Sequence, residues 1–292
     1  MRLLRVGPPG RERPALLDAA GVLRDLSSVV ADIDGSLLGD PTRLAHLPDL
    51  WDLPVVTGRP RIGPPIARPG KVVGIGLNYK DHAEEAGASI PDEPVVFLKP
   101  SSSVSGPEDP ILLPPGSTTT DHEVELGVVI GRRLAHCTDP RAALEAVGGY
   151  LVADDVTERS QVAKGPTWAK GKCADTFTPI GPWLVTPDEV GDPQGLTLEL
   201  RVDGDLRQSG TTSLMAYGVG ELLAYASTLM TLEPGDLVLT GTPGGVAAGR
   251  PEPRPFLRAG QVVEAEVRGL GRQRTPVLDP PARTRETFPG QK

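Results

Sequence analysis

Glycine and proline punctuate this chain throughout: 35 glycines and 32 prolines stand among its 292 residues, with no collagen-like period. Neither residue suits a long helix, glycine because it has the most backbone freedom to lose, proline because it lacks an amide and clashes with the preceding turn. The pattern predicts many short strands joined by turns, hence a mainly β chain with a few helices, of the α+β class. Hydrophobic residues at 38% and charged residues at 23% supply enough apolar surface for a real core and argue against disorder.

The punctuation is uneven, and its densest run divides the chain. Five prolines (54, 60, 64, 65 and 69) fall between Pro54 and Gly70, which predicts a stiff connector. Before it, Ala15–Asp18 and Val22–Leu26 flank a turn ending at Gly21 and read as a hairpin. The expected organisation is a small β-rich N-terminal domain with the connector (1–65), a larger domain (66–278) and a flexible tail (279–292). Within the larger unit, strands are expected at 71–77, 95–98, 111–113, 122–130, 150–154, 180–185, 197–202, 237–240 and 261–267. A short helix is expected over 81–86. Another should follow Asp139, with an aspartate cap, Pro140 in the first turn and a stop at Gly148–Gly149. A third, at about 213–231, should carry an apolar face of Met215, Val219, Leu222, Ala226 and Leu229.

Charge narrows the partners. A net charge of −8 and the absence of a basic stripe disfavour nucleic acid, and a small-molecule ligand is the better expectation. No apolar run approaches the roughly 18 residues of a membrane helix, and the start breaks into Gly7-Pro8-Pro9 before any signal-peptide core, so a cytoplasmic protein without a membrane partner is expected. The two cysteines, Cys137 and Cys173, match neither a zinc pair nor a redox pair.

Three clusters could do chemistry. Glu123 and Glu125, two apart on an expected strand, would share a face, with Asp155 adding a third acid at a strand end. Such oxygen ligands suit Mg²⁺, with Mn²⁺ or Ca²⁺ as alternatives, although an alternating strand with a solvated acidic face gives the same pattern. His82 and Glu85, at i and i+3, would lie side by side on one helical turn as a general base and its orienting carboxylate, or simply on a solvated surface turn. Lys172 could face an oxyanion and Lys99 a carboxylate, while the turn holding Gly241 and Thr242 could bring backbone N–H groups and a hydroxyl to an anion.

Taken in order, the segments Gly76-Leu77-Asn78-Tyr79 with Asp81-His82, Val96–Pro100, His122–Gly131, Gly149-Tyr150, Asp155-Val156-Thr157 with Arg159, Asp175-Thr176-Phe177 with Gly181-Pro182, and Thr240–Pro243 resemble the fumarylacetoacetate hydrolase family. The resemblance runs from about Lys71 to Val277. It implies a mixed β-roll or β-sandwich catalytic domain, a homodimer, and a divalent ion held by Glu123, Glu125 and Asp155. It further implies a water-activating dyad of His82 and Glu85, a catalytic Lys172, and substrate contacts from Thr242, Gly241 and Lys99. The expected reaction is metal-dependent hydrolysis of a C–C bond in a 2,4-diketo acid, an acylpyruvate or a 2,4-diketo-3-deoxy sugar acid, to pyruvate and an organic acid. An oxaloacetate-type decarboxylase or a 2-hydroxyhepta-2,4-diene-1,7-dioate isomerase on the same site is the alternative, and a non-catalytic metal- or ligand-binding protein is the reading from another class. Two positions depart from the family pattern: Glu158-Arg159-Ser160 where many members have Ala-Arg-Asp, and Cys173 where many have Ser.

Overall fold

The structure, a computed structural model, describes residues 1–45 and 53–280. From residue 281 onward the expected tail lies outside the described residues.

Short strands dominate, as the glycine and proline content predicts. The larger of two main sheets has ten strands. Its central pair, Val124–Ile130 and Val147–Asp154, is antiparallel, with Glu125 opposite Ala153 and Val128 opposite Tyr150. Next come Leu237–Leu239, then Val72–Gly76 parallel to it, and Val95–Lys99 at the edge. On the other side lie Leu184–Val185, Arg2–Val6, Arg13–Leu17 and Leu23–Asp25. The second sheet has five strands in the order Asp205–Thr211, Thr197–Val202, Val262–Val267, Gly271–Leu278, Ile111–Leu112.

Both faces of the central pair are buried, and the two-residue period of a strand deals its side chains to different cores. Leu126, Val128, Tyr150 and Val152 face the main core, which they share with Leu198, Leu200, Val263 and Ala265 of the second sheet. Val129, Leu151 and Ala153 face a second core completed by Leu3, Leu16, Leu26, Ile33 and Leu37. The first 45 residues thus extend the larger sheet and cover its second face. The proline-rich stretch crosses alongside, where Ile62–Gly63 pairs with Arg5–Val6.

Several expected elements are shorter than the sequence pattern suggests. The strand expected over 122–130 begins only at Val124, after a separate short strand Thr120–Asp121, because the Asp154 carboxylate, and not a neighbouring strand, accepts from the Glu123 amide at 2.8 Å. The helix after Asp139 is capped as expected but covers only Pro140–Leu144. Gly148 and Gly149 lie within the following strand; a Cβ on Gly148 would sit 2.8 Å from the Gly131 Cα, so close backbone approach requires the glycine there. The long helix covers Val219–Leu229 and begins only after Gly218, whose amide donates to Glu221 at 2.7 Å. Val219, Leu222 and Ala226 are buried as expected, whereas Leu229 is 55% exposed at the helix end. The segment expected as a strand over 180–185 forms a strand only at Leu184–Val185, with a single antiparallel bridge from Ile180 to Ala153 before it.

Candidate active site

The antiparallel pairing of the two central strands delivers three acids to one place. Asp155 follows directly on Val147–Asp154, and its amide donates to the Glu123 carbonyl at 2.9 Å. Glu125 lies at the start of the partner strand. Ligand oxygens of Glu123, Glu125 and Asp155 all lie within 4.8 Å of one another, and all three residues are buried.

Such crowding must be compensated. The Lys172 ammonium donates to Glu123 Oε2 at 2.9 Å, to Asp155 Oδ2 at 2.5 Å and to Thr157 Oγ1 at 2.8 Å. Lys99 donates to the other Asp155 oxygen and to the Phe177 carbonyl. Arg159 pairs with Glu123 Oε1 at 2.6 Å, and its Nε donates to Asp121 at 2.8 Å. Burial opposes the charged form of Glu123, but Lys172 and Arg159 outweigh it and hold this carboxyl down at about 2. Glu125 goes the other way: burial, then the charges of Asp155 and Glu123, push its carboxyl well above the ordinary range. The Gly241 amide donates to its Oε2 at 2.7 Å. A buried carboxylate raised by two like neighbours is a group that a positive ion would stabilise, and an all-oxygen donor set fits a hard divalent cation.

Glu123 and Glu125 form part of the wall of a cavity of about 660 Å³ that also takes in His82, Glu85, Phe97, Arg159, Trp168, Lys172 and Thr242. The helix Lys80–Glu85 places His82 Nδ1 3.6 Å from Glu85 Oε2, close enough for an ion pair though beyond hydrogen-bond length. Burial would raise the Glu85 carboxyl, but His82, the Gly245 amide and the Arg250 charge hold it below the usual range. The same helix is fastened to the loop after Thr240: Glu85 Oε2 accepts from Gly245 at 2.9 Å and Asp81 Oδ2 from Gly244 at 3.1 Å.

Two expected substrate contacts are placed elsewhere. Lys99 is absent from the cavity wall and stands behind Asp155, its side chain 0% exposed. Gly241 is likewise behind the wall, holding Glu125; its φ of +94° and an Asn78 Cβ only 2.9 Å from any added Cβ favour glycine there. Thr242 reaches the cavity while its hydroxyl donates to the Val124 carbonyl at 2.8 Å. His122 is buried and flanked by Asp121 at 3.6 Å.

Several contributors carry no local sequence signal. Gln208 joins the acidic strand to the loop, accepting from Val124 at 3.0 Å and donating to Thr242 at 2.7 Å and Pro243 at 2.8 Å. Asp121 ties Arg159 to the amides of Ala247 at 2.8 Å and Ala248 at 3.0 Å. The unusual Glu158 and Ser160 satisfy one another at 2.6 Å, and Glu158 accepts in addition from Ser117, Thr119 and Thr120. Cys173 is exposed beside Lys172, its thiol turned back on the Ala169 carbonyl at 2.7 Å.

Known proteins resemble this chain over most of its length. The fumarylacetoacetate (FAA) hydrolase C-terminal family model matches residues 71–278. A Burkholderia cenocepacia protein bearing only a provisional hydrolase name is 54% identical over 277 residues, 94% of this chain and 97% of its own. Among solved structures, a fumarylacetoacetate hydrolase from the psychrophile Exiguobacterium antarcticum is 35% identical, with a TM-score of 0.85 over 96% of this chain and 99% of its own. A maleylpyruvate hydrolase from Sphingobium sp. SYK-6 is 29% identical, with a TM-score of 0.78 over 96% and 100%.

Proposed function

Since this chain belongs to the fumarylacetoacetate hydrolase family, we propose that its cavity binds a 2,4-diketo acid of the acylpyruvate type and hydrolyses the C–C bond between its two halves. The observation that carries this reading is the meeting, on the wall of one cavity, of a histidine–carboxylate pair with Glu123 and Glu125, two members of an oxygen-only acidic triad whose third, Asp155, lies buried within 4.8 Å of them. The name of the Sphingobium relative favours an acylpyruvate over a sugar-derived diketo acid.

In this reading Glu123, Glu125 and Asp155 hold a divalent ion, Mg²⁺ first, with Mn²⁺ or Ca²⁺ as substitutes. When bound, that ion supplies Lewis-acid charge for the oxygens of the diketo acid. His82 takes a proton from water as the water oxygen bonds to the distal carbonyl carbon, and the neighbouring Glu85 carboxylate offsets the imidazolium charge. The C–C bond then breaks, its electron pair stays with the pyruvate half, and His82 returns the proton to that carbon. Pyruvate and an organic acid result, with atoms and charge balanced. Lys172 and Arg159 add positive charge at the inner end. Phe97 and Trp168, ring centroids 6.1 Å apart, supply an apolar wall that limits water.

The test is product analysis with Mg²⁺ and, in parallel, acylpyruvates, 2,4-diketo-3-deoxy sugar acids, oxaloacetate and a 2-hydroxydienoate. Pyruvate with an equimolar acid from an acylpyruvate supports the proposal. Carbon dioxide from oxaloacetate alone, or a moved double bond without cleavage, would assign the site to a decarboxylase or an isomerase.

A further inference from the structure

Charge is unevenly spread along the cavity, in a way the cleavage chemistry leaves unused. Around the triad every cation has an acid: Lys172 pairs with Glu123 and Asp155, and Arg159 with Glu123 and Asp121. Arg250 and Arg254, which also line the cavity, are different. Arg250 follows the short turn Ala247–Gly249, and its Nη2 donates to the Arg207 carbonyl at 2.7 Å. That neutral acceptor positions the guanidinium without an ion pair: among the described residues no carboxylate lies within 4.0 Å of it, and its charge acts on Glu85 only from beyond that distance. Among the described residues Arg254 is paired only with its near neighbour Glu252, at 3.3 Å, where both side chains are well exposed.

The backbone that carries Arg250 is also fixed to the catalytic groups. A Cβ on Gly249 would lie 2.3 Å from Glu85 Cγ, and the turn's amides are held by Asp121. A diketo acid anchored at the triad with its reacting carbonyl near His82 therefore extends its acyl tail along a wall that includes Arg250. A planar guanidinium with free donors recognises a carboxylate by paired hydrogen bonds.

We infer that Arg250, supported by Arg254, reads a second carboxylate at the far end of the substrate, so that the acid released beside pyruvate is a dicarboxylate. This inference rests on the acylpyruvate reading above and adds the chemical class of the tail.

The test compares succinylpyruvate with valerylpyruvate, whose tail has similar length and ends in a methyl group. Turnover is measured together with calorimetric binding to Mg²⁺-loaded protein, for the wild type, Arg250→Gln and Arg250→Lys. The expected result is a preference of about tenfold or more for succinylpyruvate, lost in Arg250→Gln and partly kept in Arg250→Lys. Equal binding of the two compounds by the wild type, or an Arg250→Gln protein that weakens both alike, overturns the inference. Cleavage of neither compound with the binding preference intact would defeat the hydrolase reading while sustaining the role of Arg250. An Arg254→Gln protein, changed at the cation that already has an acidic neighbour in Glu252, should show a smaller loss of the same preference.

Discussion

Lys99 and Asp155 form an ion pair sealed behind the cavity wall, with side chains 0% and 1% exposed. Because Lys172 takes the other Asp155 oxygen, this one carboxylate is gripped from both sides, and its orientation is set before any ligand arrives. Lys99→Met should therefore act on stability first. Removing one partner of a buried pair typically costs about 3–5 kcal/mol, and the remaining Lys172 contact places the expectation near 3 kcal/mol. Urea unfolding should show a lower midpoint; an unchanged midpoint would remove Lys99 from the support of Asp155.

His82 and Glu85 are expected to act on the chemical step. His82→Ala should lower kcat by about 10²–10⁴-fold, the range for loss of a positioned general base, and Glu85→Gln by about tenfold. Mn²⁺ binding followed by electron paramagnetic resonance should be unchanged in both, since neither residue belongs to the triad. Undiminished turnover in His82→Ala would take the pair out of the mechanism.

Gly249 gives an independent probe of the same carboxylate. An added Cβ would meet Glu85 Cγ and Cδ at 2.3 Å, and the flexible side chain would have to move away from His82. Gly249→Ala should lower kcat severalfold with little change in thermal midpoint, because the displaced atoms belong to a movable side chain and not to the backbone. A normal kcat would show that the Glu85 position is not needed.

Glu158 sets an acid limit to stability. Burial would raise its carboxyl, but hydrogen bonds from Ser117, Ser160, Thr119 and Thr120 bring it below the ordinary 4.5. A carboxyl depressed by folding contributes stability in full above its unfolded value, and that contribution is lost as pH falls below it through the folded value. Glu158→Gln should accordingly be less stable than the wild type at pH 7, with the difference shrinking below about pH 4.5. Urea midpoints at a series of pH values check this; a constant difference across the series would contradict it.

The sequence was legible where the structure is made locally. The capping of the helix Pro140–Leu144 by Asp139, which accepts from the Arg141 amide, and the short helix carrying His82 and Glu85 depend on near neighbours and follow from spacing. The acids were identifiable, but their geometry depends on more than a two-residue period: Glu123 precedes the strand, turned by a hydrogen bond to Asp154, 31 residues away. Gly148 looks like a helix stop until Gly131 is seen against it. Gln208 and Val124 are separated by 84 positions, and Asp121 and Ala247 by 126, so no local pattern announces either clamp. The same holds for the N-terminal segment, whose hairpin is readable while its shared core with Val129, Leu151 and Leu239 is not.

The central claim is that the buried acids serve a divalent ion on which C–C cleavage depends. The most direct measurement is pyruvate release from an acylpyruvate by one protein sample before chelation, after exhaustive EDTA treatment, and after Mg²⁺ or Mn²⁺ is restored, with Glu125→Ala carried through the same cycle. The expected result is loss on chelation, recovery with either ion in the wild type, and no recovery in the variant. Undiminished pyruvate release from the chelated protein would contradict it.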